Sequence, residues 1–255
     1  ELKMSAEIQV TIGNDFVAIV EICKPPNNFF STNLISGLAE TFEQLDQDDR
    51  VRASVLCSQG KHFCAGADFS GDDEGNDTLG LYAGAVRIFR CVKPIVAAIQ
   101  GAAIGGGLGL ALTADFRIAA PESRFGANFA RLGFHQGFGL SVTLPELVGQ
   151  QASRDMFFTG RRVKGHEALE MGLCDQIVPL EELREATSAF ALEIAKSAPL
   201  AIESIRKTLR GDLADRIEAV TLHEAAEQAR LSRTEDWKEG IKASAERRDP
   251  MFRRK

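Results

Sequence analysis

Lys93-Pro94-Ile95-Val96-Ala97-Ala98-Ile99-Gln100-Gly101-Ala102-Ala103-Ile104-Gly105-Gly106-Gly107-Leu108-Gly109 is the stretch on which the reading of this 255-residue chain turns. From Ile95 to Leu112 it carries no charge and reaches the length that a bilayer span requires. Five glycines (Gly101, Gly105, Gly106, Gly107, Gly109) oppose a continuous helix, because each costs about 1 kcal/mol relative to alanine in a helix interior. A buried strand from Ile95 to Ile99, a glycine turn, and a short buried helix from Leu108 to Thr113 fit the same letters. A turn placed this way leaves the first amides of the helix without internal acceptors, an arrangement that attracts negative charge.

Two common glycine motifs fail here. A dinucleotide fingerprint starting at Gly105 or Gly107 needs glycine at 110 or 112, and both are leucine. A phosphate loop needs Gly-Lys-Ser/Thr, whereas Gly106 is followed by Gly107.

Upstream, Ile8 to Val10 and Val17 to Ile22 flank Gly13-Asn14-Asp15 and read as a hairpin. Ser31 or Thr32 caps a helix to about Asp46, with Leu34, Leu38, Phe42 and Leu45 on its apolar face. Val51 to Cys57 reads as a buried strand and Leu81 to Cys91 as a helix. Downstream, Phe116 to Ala119 reads as a strand and Leu140 to Val148 as a helix, which makes a layered α/β class. From about Glu181 the chain turns helical, Pro199 opening one segment and Gly211 closing it. Residues 1–195 therefore read as an α/β core and 196–255 as a helical C-terminal region. In the latter Trp237, Ile241 and Ala245 form a narrow apolar stripe that must dock, a neighbouring subunit being one surface for it.

With 44% hydrophobic residues the chain can bury one large core, or one core with an appendage. A net charge of -6 argues against nucleic acid or an anionic membrane as partner. The five cysteines lack disulfide or zinc spacing and read as reduced, buried thiols. The first residues alternate apolar and polar without a signal-peptide pattern, so a cytoplasmic location is expected.

His62-Phe63-Cys64-Ala65-Gly66-Ala67-Asp68 places small residues after a strand, where a ligand can approach free backbone N–H groups. Taken alone, each small-residue loop is a tight turn that needs glycine. Two such loops converging would form an oxyanion hole, in which one donor contributes about 3 kcal/mol of transition-state stabilisation. Asp68 reads as the cap of the next helix. Asp72, Asp73, Glu74 and Asp77 fit no calcium loop and read as a solvated acidic run, so no metal is expected. His62 and Cys64 flank the first loop, where alternate residues point to opposite faces, so at most one class of side chain lines the pocket, and Cys64 reads as core packing. His166 and His223 read as solvated or locally hydrogen-bonded.

Over nearly its whole length the chain resembles the crotonase, or enoyl-CoA hydratase/isomerase, superfamily. Phe63 to Asp68 is similar to its first loop, Lys93 to Gly101 to its central strand and Gly105 to Gly107 to its second loop. Gly172-Leu173 with Val178, and Glu239-Gly240 to Arg248, are similar to its later signatures. The resemblance implies a spiral of ββα units with a helical C-terminal region, assembled as a homotrimer or homohexamer. It implies an acyl-coenzyme A substrate and no separate cofactor. Its oxyanion donors would be the amides of Ala67 and Gly106, with Ala65 near the adenine, Lys24 near the phosphates, and Arg247 reaching a neighbouring subunit's coenzyme A.

The same resemblance puts Gly109 and Phe129 where hydratases carry two glutamates, and Gly137 where isomerases carry an aspartate. None of these can transfer a proton. His135 is then the titratable candidate, since imidazole exchanges protons near neutral pH. Its alternative is a backbone hydrogen bond. Asn128 and Gln136 are candidates to orient water or a carbonyl, or else to satisfy loop backbone. The implied chemistry is enolate stabilisation on an acyl-CoA thioester. A thioester hydrolase, or an acyl-CoA-binding protein without turnover, are the alternatives.

Overall fold

A computed structural model describes residues 6–68 and 77–255. The hairpin is present as β1 (Ile8–Ile12) and β2 (Val17–Ile22), paired antiparallel. Helix α1 (Thr32–Asp46) starts where the Ser31 side chain accepts from the Leu34 N–H, which satisfies one of the orphan first-turn donors. β3 (Ala53–Ser58), α2 (Thr78–Arg90), β4 (Ile95–Ile99) and β5 (Ala102–Ile104) follow. The uncharged stretch is thus two strands and the six-residue α3 (Gly106–Ala111). Among the described residues no helix is long and apolar enough to cross a membrane.

Next come β6 (Phe116–Ala119), β7 (Arg124–Gly126), a 3-10 turn (Asn128–Leu132) and α4 (Leu140–Thr159). The helix expected to end at Val148 continues, but Gly149 breaks the helical path with φ 83°. β8 (Arg162–Lys164), α5 (Gly165–Glu170) and β9 (Gln176–Ile177) complete the strand-bearing part. Four helices end the chain: α6 (Leu183–Ala195), α7 (Pro199–Arg210), α8 (Leu213–Leu231) and α9 (Glu235–Glu246).

The main sheet runs β1-β2-β3-β4-β6-β9, parallel from β2 onward. Every residue of β3 and β4 is buried, as expected of parallel strands covered on both faces. Successive side chains alternate between the faces. Leu56, Ala97 and Ile99 pack in one core with Leu34, Leu38 and Phe42 of α1 and Leu81, Ala85 and Ile88 of α2. Val55, Cys57, Val96 and Ala98 pack in the other with Leu183, Ala191 and Ala195 of α6. A second, three-stranded sheet, β5-β7-β8, was not anticipated. Its strands have three residues each, too few to show a period.

Two expectations need correction. Asp68 is not the cap of α2. Asp77 holds that place, accepting from the Gly80 N–H at 2.9 Å, so it is no part of a merely solvated run. Asp72, Asp73 and Glu74 lie outside the described residues. The Trp237 stripe finds a surface within its own chain: the indole stacks on Phe134, with ring centroids 4.3 Å apart, while Ala245 stays exposed. The residues of α9 that are buried are Gly240 and Ala243, and a side chain at Gly240 would strike the Leu132 backbone.

All five cysteines are free, and Cys57, Cys64, Cys91 and Cys174 are buried. Burial pushes the Cys64 thiol up to about 11 and the Cys57 thiol up to about 12, so neither is a nucleophile at neutral pH.

Candidate active site

The two small-residue loops lie side by side. Cys64 forms a parallel bridge with Ala103: the Cys64 N–H donates to the Ala102 carbonyl at 3.0 Å, and the Cys64 carbonyl accepts from the Ile104 N–H at 3.1 Å. The first loop is also tied to the chain before α1, by Ala65 N–H to the Asn27 carbonyl (2.9 Å) and Phe30 N–H to the Gly66 carbonyl (3.1 Å). The second loop is fixed by Gly105 N–H to the Gly126 carbonyl at 2.8 Å. Gly66 (φ 99°) and Gly105 (φ 58°) occupy backbone conformations that favour glycine. Gly107 packs so closely on the Cys64 carbonyl that any side chain there would separate the loops.

These bonds leave particular donors over. Leu108 and Gly109 donate to the Gly105 carbonyl, whereas the N–H groups of Ala67 and Gly106 have no acceptor among the described residues. Asn128 and Phe129 flank the same turn: a Cβ at Gly105 would lie 3.8 Å from each of their side chains. Ala65, Ala67, Gly106, Asn128 and Phe129 are therefore gathered around the paired loops.

Lys24 is bound to Glu7 at 2.8 Å. A residue missed in the sequence, Asn28, anchors its turn. Fully buried at φ 50°, Asn28 accepts from the Lys24 N–H and donates to the carbonyls of Gln59 and His62. The Pro25-Pro26-Asn27-Asn28 run carried a turn signal, since Asn tolerates the left-handed region. His62 accepts from the Ala102 N–H at 3.1 Å, which ties its ring to β5. Arg247 ends α9 at φ 56°, exposed.

Aromatic side chains fill the space beside the second loop. The Phe30 ring lies directly against Gly106, and a Cβ at Gly109 would lie 2.6 Å from that of Phe138. Phe138 is 1% exposed and holds φ 62°, a conformation that costs a bulky residue about 1–2 kcal/mol. Its ring meets Phe30 and Tyr82 edge-on, at 6.1 and 6.5 Å between centroids. Gly137 is covered in turn by the Tyr82 hydroxyl and by Gln228 Nε2. Phe129 is itself buried. Gly109, Phe129 and Gly137 are thus all packed.

A buried polar clamp holds Phe138 in place. Tyr82 Oη donates to Gln228 Oε1 at 2.7 Å, and Gln228 Nε2 donates to the His135 carbonyl at 3.0 Å. Glu224, with no exposed surface, accepts from the N–H groups of Gly139 and Ser141 and from Ser141 Oγ. It caps α4 from α8. Burial pushes its carboxyl above the usual range, against those three hydrogen bonds. Burial also raises the Tyr82 phenol, which keeps it protonated. Gln136 donates to Ser141 Oγ at 3.1 Å and so satisfies the loop. His135 Nδ1 lies 2.8 Å from the Gln136 carbonyl, and its ring stands edge-on to His223 at 5.7 Å. Nothing local in the sequence marked Tyr82, Glu224 or Gln228, whose hydrogen bonds join residues 83 to 146 apart, or Phe138, whose ring partners come from other elements.

Layered sheet, paired glycine loops and helical C-terminal region together define the crotonase fold. The sequence matches the family description "Enoyl-CoA hydratase/isomerase" over residues 13–255, and the chain belongs to that family. It is 34% identical to a probable enoyl-CoA hydratase of Bacillus subtilis, over 94% of this chain and 96% of that one. It is 31% identical to the carnitinyl-CoA dehydratase of Salmonella typhimurium, over 98% and 99%. Among solved structures, an enoyl-CoA hydratase/isomerase from Pseudoalteromonas atlantica superposes with a TM-score of 0.87 at 29% identity, covering 97% of this chain and all of that one.

Proposed function

We propose that this protein is an acyl-CoA enzyme of the enoyl-CoA hydratase/isomerase type. The thioester carbonyl oxygen rests between the N–H groups of Ala67 and Gly106, which stabilise the enolate oxyanion formed from it. The reading is carried by the bridge between Cys64 and Ala103, which lays the two loops together with both of these donors unspent among the described residues. The adenine would lie by Ala65 and the phosphates by Lys24, which would exchange Glu7 for them, with Asn128 and Phe129 beside the acyl group and Gln136 behind it. Arg247 would reach the coenzyme A of a neighbouring copy in a homotrimer or homohexamer. Coenzyme A is part of the substrate, so no further cofactor is invoked. The site of action is the cytoplasm.

Protons move through bound water or through His135, whose Nδ1 is committed to the Gln136 carbonyl and whose Nε2 is the nitrogen left for exchange. The family relatives named above are called hydratase and dehydratase. In this chain the usual hydratase glutamates are replaced by Gly109 and Phe129. General acid and base groups supply roughly 10²–10⁴-fold, so hydration by this site would be slow.

The packing of Phe138 on Gly109 and of Tyr82 on Gly137 favours a second reading, in which the same hole holds the tetrahedral oxyanion of thioester hydrolysis or binds acyl-CoA without turnover. Crotonyl-CoA distinguishes these outcomes. Loss of conjugated absorbance supports lyase or isomerase chemistry, free thiol supports hydrolysis, and calorimetric binding with neither supports a binding protein. Absence of binding would refute the acyl-CoA reading altogether.

A further inference from the structure

The small β5-β7-β8 sheet carries a concentration of positive charge that the reaction does not use. Arg124 and Lys164 are directly opposed in the antiparallel β7-β8 pair, and Arg162 opposes Gly126 two residues along. Side chains two apart share a face, so Arg124, Arg162 and Lys164 share one. The other face carries Phe125 and Val163, both with no exposure, which turns the cations outward. His62 joins them at β5 through its bond to the Ala102 N–H, and Ala102 is paired with Arg124. Lys61 precedes it, with its carbonyl packed on Gly101.

Like charges directly opposed across strands destabilise a sheet. Most arginines on this protein offset such a cost with a carboxylate, but Lys61, Arg124, Arg162 and Lys164 have none among the described residues. Glu122, the acid nearest in sequence to β7, forms no ion pair with them. Arg124 Nε is buried and has no acceptor among the described residues. The His62 imidazole responds to the group: burial first, then the charges of Arg124, Lys61 and Arg162, hold its pKa below the ordinary histidine range.

We propose that the outer face of the β5-β7-β8 sheet, through Lys61, His62, Arg124, Arg162 and Lys164, binds a small molecule bearing two or more phosphate groups, at a site separate from the paired loops. Guanidinium forks match phosphate oxygens in pairs, and closely spaced cations in a protein of net charge -6 select a compact polyanion. A protein partner is disfavoured because no large apolar side chain stands on this face to anchor it.

Inorganic pyrophosphate titrated into the full chain at low ionic strength, followed calorimetrically, tests the proposal. Saturable binding is expected, weakened about tenfold or more in an Arg162→Gln/Lys164→Gln variant and unchanged in an Arg50→Gln control, whose side chain is exposed and paired with Asp48. Both substituted residues are exposed, so the fold is expected to survive, which circular dichroism checks. The His62 ring protons, followed by NMR, should titrate at higher pH once pyrophosphate neutralises the surrounding field. No binding, binding weakened as much in Arg50→Gln, or preference for an acidic peptide over pyrophosphate would each overturn the assignment.

Discussion

Gly109 leaves its side-chain space to Phe138. A glutamate there would have to displace Phe138, whose Cβ lies 2.6 Å from where the new Cβ would stand. Gly109→Glu alone is therefore expected to destabilise the fold by about 1–3 kcal/mol through overpacking. The cost should fall measurably when Phe138→Ala is added, so a double-mutant cycle on urea midpoints should return a favourable coupling. Additive effects would mean that Phe138 does not occupy the space a side chain at 109 would need. His135→Gln belongs to the same scale. If imidazole moves the proton, turnover in whichever assay is active falls by about 10²-fold or more, and if water does so the rate is unchanged. The sequence made the absence of carboxylates at 109, 129 and 137 legible. What fills their place was not, because Phe30, Tyr82 and Phe138 converge only after folding.

Among the elements, α2 owes its start to Asp77 and not to Asp68. Asp77→Ala should cost about 1 kcal/mol in thermal or urea unfolding. No loss would contradict the assigned cap. Elements with strong local punctuation were readable: Ser31 opens α1, and Pro199 and Gly211 bracket α7. β4 matches its apolar run residue for residue. The three-residue strands of the smaller sheet were hidden, because pairing with the neighbouring loop and not sequence period defines them. Helix α4 was readable only as far as the Gly149 break.

Across the whole molecule the helical C-terminal region is fastened to the core by charge. Asp115, just before β6, accepts from the Ile95 N–H, and both Arg206 and Arg210 of α7 pair with it at 2.9 Å. Burial alone would raise its carboxyl pKa. The charges of Arg210 and Arg206, with the Ile95 hydrogen bond, outweigh burial and hold it below the usual carboxylate range. A lowered folded-state pKa gives stability that is present above the unfolded value and lost as pH falls through the folded one. Asp115→Asn should therefore cost about 3–5 kcal/mol at pH 7, with the gap to the wild type narrowing as pH drops below about 4. A gap independent of pH would show that the ion pairs do not carry the attachment. From sequence the helical character of this region was plain, but its fastening through Asp115 joins residues 91 and 95 apart in the chain.

The most direct test of the paired amides is the infrared difference spectrum of a bound acyl-CoA thioester labelled with ¹³C at its carbonyl. Two converging N–H donors would polarise that bond, so its stretching band should move to lower frequency on binding and stay there in His135→Gln. Saturated binding with the band at its free-solution position would contradict an oxyanion hole formed by Ala67 and Gly106.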